Sequence, residues 1–177
     1  MRCIELLNEE HHLVLRLVKV VKAIGRDVAH KEVLDSEDMQ RIITLFDTFV
    51  NSSHELKEES ALFPTLIERA GTEAQEELRA RIFEHNQERS LIDGMREAMM
   101  TCDCKDFVWC AERLADFLAE HVRKEYLLFK KFEALLKPGN DRKIVREFNK
   151  IDAELGPKIK DVSAIVDGLE RKYAVAA

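Results

Sequence analysis

The sequence from Phe107 to Leu135 reads FVWCAERLADFLAEHVRKEYLLFKKFEAL, and this stretch decides the fold. Its apolar residues recur at steps of three and four, which predicts an α-helix with one buried face. His121 and Glu125 lie in the middle of that face, one turn apart. Because an unpartnered charge is costly to bury, both side chains need a partner, and a metal ion would serve both. The face contains Phe107, Cys110, Leu114, Phe117, His121, Glu125, Leu128, Phe132 and Leu135.

The composition favours a helical protein of one domain. The chain has 177 residues, of which 35% are charged and 46% hydrophobic, with three prolines and six glycines. A net charge of -6 argues against nucleic acid or an anionic membrane as partner. No apolar run approaches the roughly 18 residues that span a bilayer, and acidic residues come too early for a signal peptide. We therefore expect a cytoplasmic protein with free, reduced cysteines.

A first helix is predicted over residues 3–27. Its apolar stripe includes His11, whereas the neighbouring His12 falls among polar residues and should be exposed. His30 would lie about 28 Å from His11 if the helix continued straight. A role for His30 as a further metal ligand would therefore require the chain to fold back.

A second helix should begin at a cap formed by Asp35 or Ser36 and run to about residue 69. Its apolar line again contains a histidine and, one turn later, a glutamate, His54 and Glu58. Pro64 lies inside this pattern, so we expect a kink or an early end of the helix there.

A third helix is predicted from an N-cap at Thr72 to about residue 100, with His85 on its apolar face. The residue one turn after this histidine is Arg89 rather than an acid. Asp103 then starts the helix described first. We expect the sequence Pro138-Gly139-Asn140 to end that helix.

The segment 141–173 predicts a further amphipathic helix, broken at Gly156-Pro157. Its apolar line holds no metal-binding residue type. We expect it to pack across the other helices, or against a second copy of the chain in a homodimer.

A repeated motif suggests how the helices are arranged. His54 to Glu58 and His121 to Glu125 share the pattern H-x-x-K-E, 67 residues apart. The helices with His11 and His85 each supply one more histidine, which suggests two similar helix pairs. The expected fold is all-α, an up-down four-helix bundle over residues 1–137 with a C-terminal helical extension over residues 138–177.

Four imidazoles and two carboxylates form the expected metal site. This donor set suits iron or manganese, and zinc can also use it. Six inward ligands are too many for one ion with an open position, so they fit two ions bridged by the glutamates. A ferritin-like site would need E-x-x-H on two helices, and only the outward His12 satisfies that spacing. The ligand set is His11, His54, Glu58, His85, His121 and Glu125.

The order H…H-x-x-x-E…H…H-x-x-x-E resembles the hemerythrin-like (HHE cation-binding) proteins. The local sequences match as well: Glu10-His11, His54-x-x-Lys57-Glu58-Glu59-x-x-Leu62-Phe63-Pro64, Glu84-His85 with Arg89, and His121-x-x-Lys124-Glu125. The resemblance covers about residues 4–136. It implies two non-haem Fe ions with an oxo or hydroxo bridge, the two glutamates bridging and the histidines terminal. It also implies activities such as O2 binding, O2 or NO sensing, peroxide breakdown or repair of iron centres.

The chain departs from this pattern at Arg89, where oxygen-carrying hemerythrins have a further histidine. Four imidazoles, two bridging carboxylates and one bridging oxygen supply ten of the twelve positions of two octahedral ions. Two positions then stay open, which implies a more reactive and less selective site. Arg89 could pair with a bridging carboxylate, with Glu120 or with another surface acid. We expect Glu55 and Glu59 to be solvated, unless a distorted helix makes one a ligand.

Three functions follow as hypotheses. The first is a protein that binds O2 or NO at an open iron position, for sensing or storage. The second is an enzyme that acts on hydrogen peroxide or NO, or donates iron for repair of iron centres. The third is a structural module in which metal holds the helices together and the C-terminal segment docks a partner.

Overall fold

The computed structural model describes residues 1–175, without the side chains of residues 73, 74 and 157, and this part of the chain is all-α. No strand occurs in it, as predicted. The α-helices are α1 (Arg2–Lys31), α2 (Ser36–Leu45), α3 (Phe63–Arg69), α4 (Thr72–Thr101), α5 (Cys104–Phe132), α6 (Pro138–Leu155) and α7 (Val162–Lys172). Among the described helices, none has the length and apolar character that a membrane span needs.

The segment from α2 to α3 stays helical but changes its winding. Two π-helical stretches, Phe46–Glu55 and Glu58–Leu62, lie between the α-helices and contain His54 and Glu58. Of the two alternatives predicted at Pro64, a kink or an early end, the early end does not occur, because the helix continues to Arg69 as expected. The change from π to α winding occurs just before Pro64, where the missing N–H and the ring would disturb a regular helix.

Adjacent long helices run antiparallel, as contacts at both ends of each pair show. Helices α1 and α5 are joined by Lys22 with Asp116 at 2.7 Å and by the N-terminal amino group with Glu133. Helices α4 and α5 are joined by Lys131 with Glu77 and by Gly94 beside Cys110. The α2–α3 segment meets α4 through Asp47 with Arg96 and Glu59 with Arg89.

Several helix ends follow the predicted local chemistry. The carboxylates of Asp35 and Asp103 accept hydrogen bonds from backbone N–H groups in the first turns of α2 and α5. The predicted cap at Thr72 is shifted by one residue, since Gly71 is the N-cap of α4 and offers no side chain. Helices α6 and α7 are separated at Gly156, as predicted, where φ is +20°.

The C-terminal helices pack on the chain's own earlier helices. Ile144 and Phe148 of α6 are buried in an apolar cluster with residues of α1, α3 and α5. Val166 of α7 is buried in a second cluster. Arg16 of α1 binds Glu170 of α7 through paired hydrogen bonds of 2.9 and 2.5 Å.

The two apolar clusters lie on either side of a layer of buried polar groups. One cluster is built around residues such as Val14, Ile24 and Phe107, the other around Leu7, Phe63 and Phe129. His11, His54, Glu58, His85, His121 and Glu125 are at most 4% exposed and belong to neither cluster. Burial of so many polar groups together requires that they be paired or bind a cation.

Candidate metal centre

Four imidazoles from four helical segments converge on two carboxylates. Each histidine approaches through its Nε2 atom. His11 and His121 lie 3.1 Å from oxygens of Glu125, and His54 and His85 lie 3.6 and 3.4 Å from oxygens of Glu58. The structure therefore brings all six predicted residues to one place, although they are spread over 115 positions from His11 to Glu125.

The donor atoms form two groups that share both glutamates. In each group, the ligand atoms lie within 4.8 Å of one another, which suits binding of a metal ion. The groups are His11, His54, Glu58 and Glu125, and His85, His121, Glu58 and Glu125. Each group has two imidazoles of its own and shares both carboxylates with the other group. This arrangement suits two ions that are bridged by the carboxylates.

The shared carboxylates are the strongest sign that the site fits cations. Both oxygens of Glu58 and Oε1 of Glu125 are buried and have no hydrogen-bond partner among the described residues. Burial raises the pKa of Glu58, and the nearby charge of Glu125 raises it further. Burial also acts to raise the pKa of Glu125, but His121 and the hydrogen bonds of the histidines outweigh it and lower that pKa. Without a cation, this pair must therefore retain a proton.

Three of the four histidines are oriented by a second carboxylate on their other ring nitrogen. The Nδ1 atoms of His54, His85 and His121 lie 3.0, 2.7 and 2.8 Å from oxygens of Glu10, Glu59 and Glu84, respectively. Such a partner fixes the ring and makes Nε2 a better metal ligand. Burial acts to raise the pKa of Glu84, but hydrogen bonds from His121 and Lys124 lower it to about 2.

Each of these outer carboxylates is in turn bound by a cation. Lys57 binds Glu10, Arg89 binds Glu59 at 2.8 Å, and Lys124 binds Glu84 at 2.8 Å. Helical spacing alone did not predict that Glu10 and Glu84 orient histidines, or that Lys57 and Lys124 bind these glutamates. The repeated Glu-His pairs and the lysine of the repeated H-x-x-K-E motif were the signals that could have identified them.

The environment of His11 differs from that of the other histidines. Its Nδ1 is buried and has no partner among the described residues. Beside it lies a cavity of about 300 Å³ between α1 and α5. The cavity is lined by Asn8, His11, His12, Leu15, Ala119, Val122, Arg123 and Tyr126.

The expectation that Glu55 is solvated is wrong, because this residue is 1% exposed. Glu59 is partly buried, and 24% of its side chain remains exposed. Both accept hydrogen bonds from Arg89, at 2.5 and 2.8 Å. Arg89 thus pairs with neither a bridging carboxylate nor Glu120. Helix packing is the cause, because α4 brings the guanidinium against the π-helical stretches.

Buried Glu88 adds another acid to this region, near His121 at 3.5 Å. Burial raises its pKa to about 8, and the charge of Glu55 contributes. The burial of Glu88 could not be predicted from the sequence, because an acidic residue on a helix is usually exposed.

The remaining candidate residues lie away from the centre. His12 is exposed, as predicted. Helix α1 is unbroken to Lys31, so the chain does not fold back and exposed His30 is no ligand. Cys3, Cys102, Cys104 and Cys110 are free thiols.

Among protein-family models, the hemerythrin HHE cation binding domain matches the chain over residues 3–132. The match includes all six converging residues and stops before α6. Comparison with curated proteins and with solved structures found no match to the chain.

Proposed function

The chain belongs to the hemerythrin HHE cation-binding domain family, and from this premise we propose a non-haem di-iron protein that binds O2 or NO. One iron would be held by His11 and His54 and the other by His85 and His121. Glu58 and Glu125 would bridge the two ions, with an oxo or hydroxo group as a further bridge. The small ligand would bind at an open iron position, for sensing or storage.

The observation that carries this proposal is the sharing of Glu58 and Glu125 between two groups of donor atoms. A single-ion site has no use for two buried carboxylates when three of their four oxygens lack a hydrogen-bond partner among the described residues. The donors here are imidazole and carboxylate groups, which iron commonly binds. Many zinc sites instead use thiolates, and no cysteine belongs to this set.

The surrounding residues support binding of a small apolar ligand. When bound, reduced iron supplies electrons and an open coordination position to a diatomic molecule. The chain's contribution is to exclude water, because apolar clusters flank the polar layer on both sides. Phe129 stacks on the His11 ring at 5.8 Å between centroids, and Phe63 stacks on His85 at 6.1 Å.

The cavity beside His11 is the route by which we propose that the ligand reaches the centre. Leu15, Val122 and Ala119 give it an apolar wall, and His11 forms part of its lining. A diatomic molecule loses little hydration when it enters such a space, whereas an ion would lose much more.

The pairing of Arg89 favours a second candidate function, a di-iron enzyme acting on hydrogen peroxide or NO, or an iron donor for repair of iron centres. Arg89 is engaged by Glu55 and Glu59 and does not replace the missing histidine as a ligand. With fewer protein ligands, an ion offers more positions to a substrate and is released more easily.

Metal analysis combined with absorption spectra tests these proposals. The protein loaded with Fe(II) should contain two ions per chain and, on exposure to O2, develop a charge-transfer band. A stable, reversible band supports ligand binding, whereas rapid oxidation without such a band supports turnover. A protein that binds no iron would contradict both. A metal-free protein that keeps its full fold, with no activity that depends on iron, would favour the structural module.

We also propose the finer architecture that the sequence predicts, an up-down four-helix bundle over residues 1–137 with an extension over residues 138–177. The four helical segments of the bundle would be α1, the α2–α3 segment, α4 and α5. The antiparallel contacts between neighbouring helices support this division.

A further inference from the structure

Helix α6 lies outside the residues that match the family, yet one of its side chains reaches the surroundings of the metal centre. Asp152 Oδ1 lies 2.6 Å from Nζ of Lys57 and accepts a hydrogen bond of 3.1 Å from Ser53. Lys57 also binds Glu10, whose other oxygen lies 3.0 Å from His54 Nδ1. A continuous chain of contacts therefore runs from Asp152 through Lys57 and Glu10 to His54.

The lysine at the centre of this chain is buried by α6. The Lys57 side chain is 2% exposed, and its ammonium group lies 6.0 Å from the ring centroid of Phe148 on α6. A buried ammonium group is tolerated only when it is paired, and here it has two carboxylate partners. Lys124, at the same position of the other H-x-x-K-E motif, is 38% exposed and binds Glu84 without a residue of α6.

The carboxylate of Asp152 changes how strongly the charge of Lys57 acts on Glu10. If Lys57 bound Glu10 alone, its full charge would reduce the capacity of Glu10 to accept a hydrogen bond from His54 Nδ1–H. Asp152 shares that charge and leaves Glu10 a stronger acceptor. A stronger acceptor on Nδ1 makes Nε2 a more basic and better oriented ligand.

We propose that Asp152 is a positioning residue of the metal centre, which strengthens the binding of one ion by acting through Lys57 and Glu10 on His54. The inference rests on the proposed function, since it assumes that His54 binds a metal. It makes the C-terminal extension a part of the centre rather than an appendage. The ion held by His85 and His121 has no corresponding link to α6 among the described residues.

Co(II), whose visible absorption reports its coordination, tests the proposal by titration of the metal-free protein. The Asp152→Asn variant should bind two ions, one of them about 3- to 10-fold more weakly, since an outer partner in direct contact is worth 10- to 100-fold. Asp152→Glu, which keeps the carboxylate, should restore the affinity. Glu147→Gln is the matched control, because Glu147 lies on α6, is 41% exposed against 40% for Asp152, and binds only Lys150 among the described residues.

Histidine ¹⁵N–¹H spectra of the Zn(II)-loaded protein supply a readout that a merely structural role would not change. The His54 Nδ1–H resonance should shift in Asp152→Asn, while those of His85 and His121 stay in place. Equal weakening of both ions together with a less stable metal-free protein would overturn the proposal, as would an unchanged His54 resonance. If the wild-type protein binds two ions and Asp152→Asn is indistinguishable from it, only this inference fails. If the wild-type protein binds no metal, the proposed function fails and the inference with it.

Discussion

The two halves of the centre repeat the same motif but differ in what surrounds it. In one half, Glu10 contacts His54 and Lys57; in the other, Glu84 contacts His121 and Lys124. The histidines contributed by the Glu-His pairs have unlike surroundings. His85 contacts Glu59, which Arg89 links to Glu55, whereas His11 adjoins a largely apolar cavity.

Comparison of corresponding positions explains this difference. Residues 59 and 126 both follow a shared glutamate, and residues 89 and 15 both lie one turn after a histidine. The charged pair Glu59 and Arg89 thus corresponds to Tyr126 and Leu15. Ion pairs of Arg89 lie on one side of the centre, while a cavity adjoins the other side. The repeated histidines and glutamates therefore converge in both halves, whereas the unrepeated residues around them differ.

The largest effect is expected from the residues common to both halves. Glu125→Ala should reduce the metal content from two ions per chain to fewer than one, because each ion loses a ligand and the bridge is broken. Elemental analysis after loading with Fe(II) measures this. Glu120→Gln on the same helix is the control, since its exposed side chain pairs with Arg123. Retention of two ions in Glu125→Ala would refute the bridging role.

A change at Glu59 should weaken the binding of only one of the two ions. Glu59→Gln weakens the partner of His85 Nδ1, so the ion of His85 and His121 should bind about 10- to 100-fold more weakly. The ion of His11 and His54 should keep its affinity. Titration with Co(II) separates the two, and Glu68→Gln, exposed on the same helical segment, is the control. If both ions weaken equally, the halves are not independent.

Filling the cavity beside His11 tests whether O2 or NO reaches the centre through it. Ala119→Phe should slow the reaction of the reduced protein with O2 or NO several-fold in stopped-flow measurements, with unchanged metal content. Ser52 holds the corresponding position in the other half and is exposed, so Ser52→Phe should leave the rate unchanged. Equal rates for the wild type and both variants would place the route elsewhere.

The smallest effect concerns protonation of the metal-free protein. Burial lowers the pKa of His54 to about 4, whereas acidic neighbours overcome burial and raise the pKa values of His85 and His121. At pH 7, ring ¹⁵N shifts should therefore show His54 neutral and the other two protonated. Since a metal must displace these protons, its affinity for the His85 half should rise with pH. Three neutral rings at pH 7 would contradict this difference.

Much of the centre could be predicted from sequence because its ligands follow helical spacing. Periodicity separated buried His11 from exposed His12, and it found each His–Glu pair at one turn. It failed for Glu55, which looks like a surface residue along its own helix. Glu55 is buried where it pairs with Arg89 on α4, and helical spacing contains no information about a partner on another helix.

The sequence by itself determined the helical character, a helix start at Asp35 or Ser36 and another at Asp103, and the six inward polar residues, since local backbone chemistry and a period of 3.6 residues control all of these. Only the tertiary structure decided which carboxylate orients each histidine, why Lys57 is buried beneath Asp152, and where a cavity reaches His11. These features depend on side chains from distant segments that meet when helices pack. The free energy of burying a charge is set by those neighbours and not by its position along the chain.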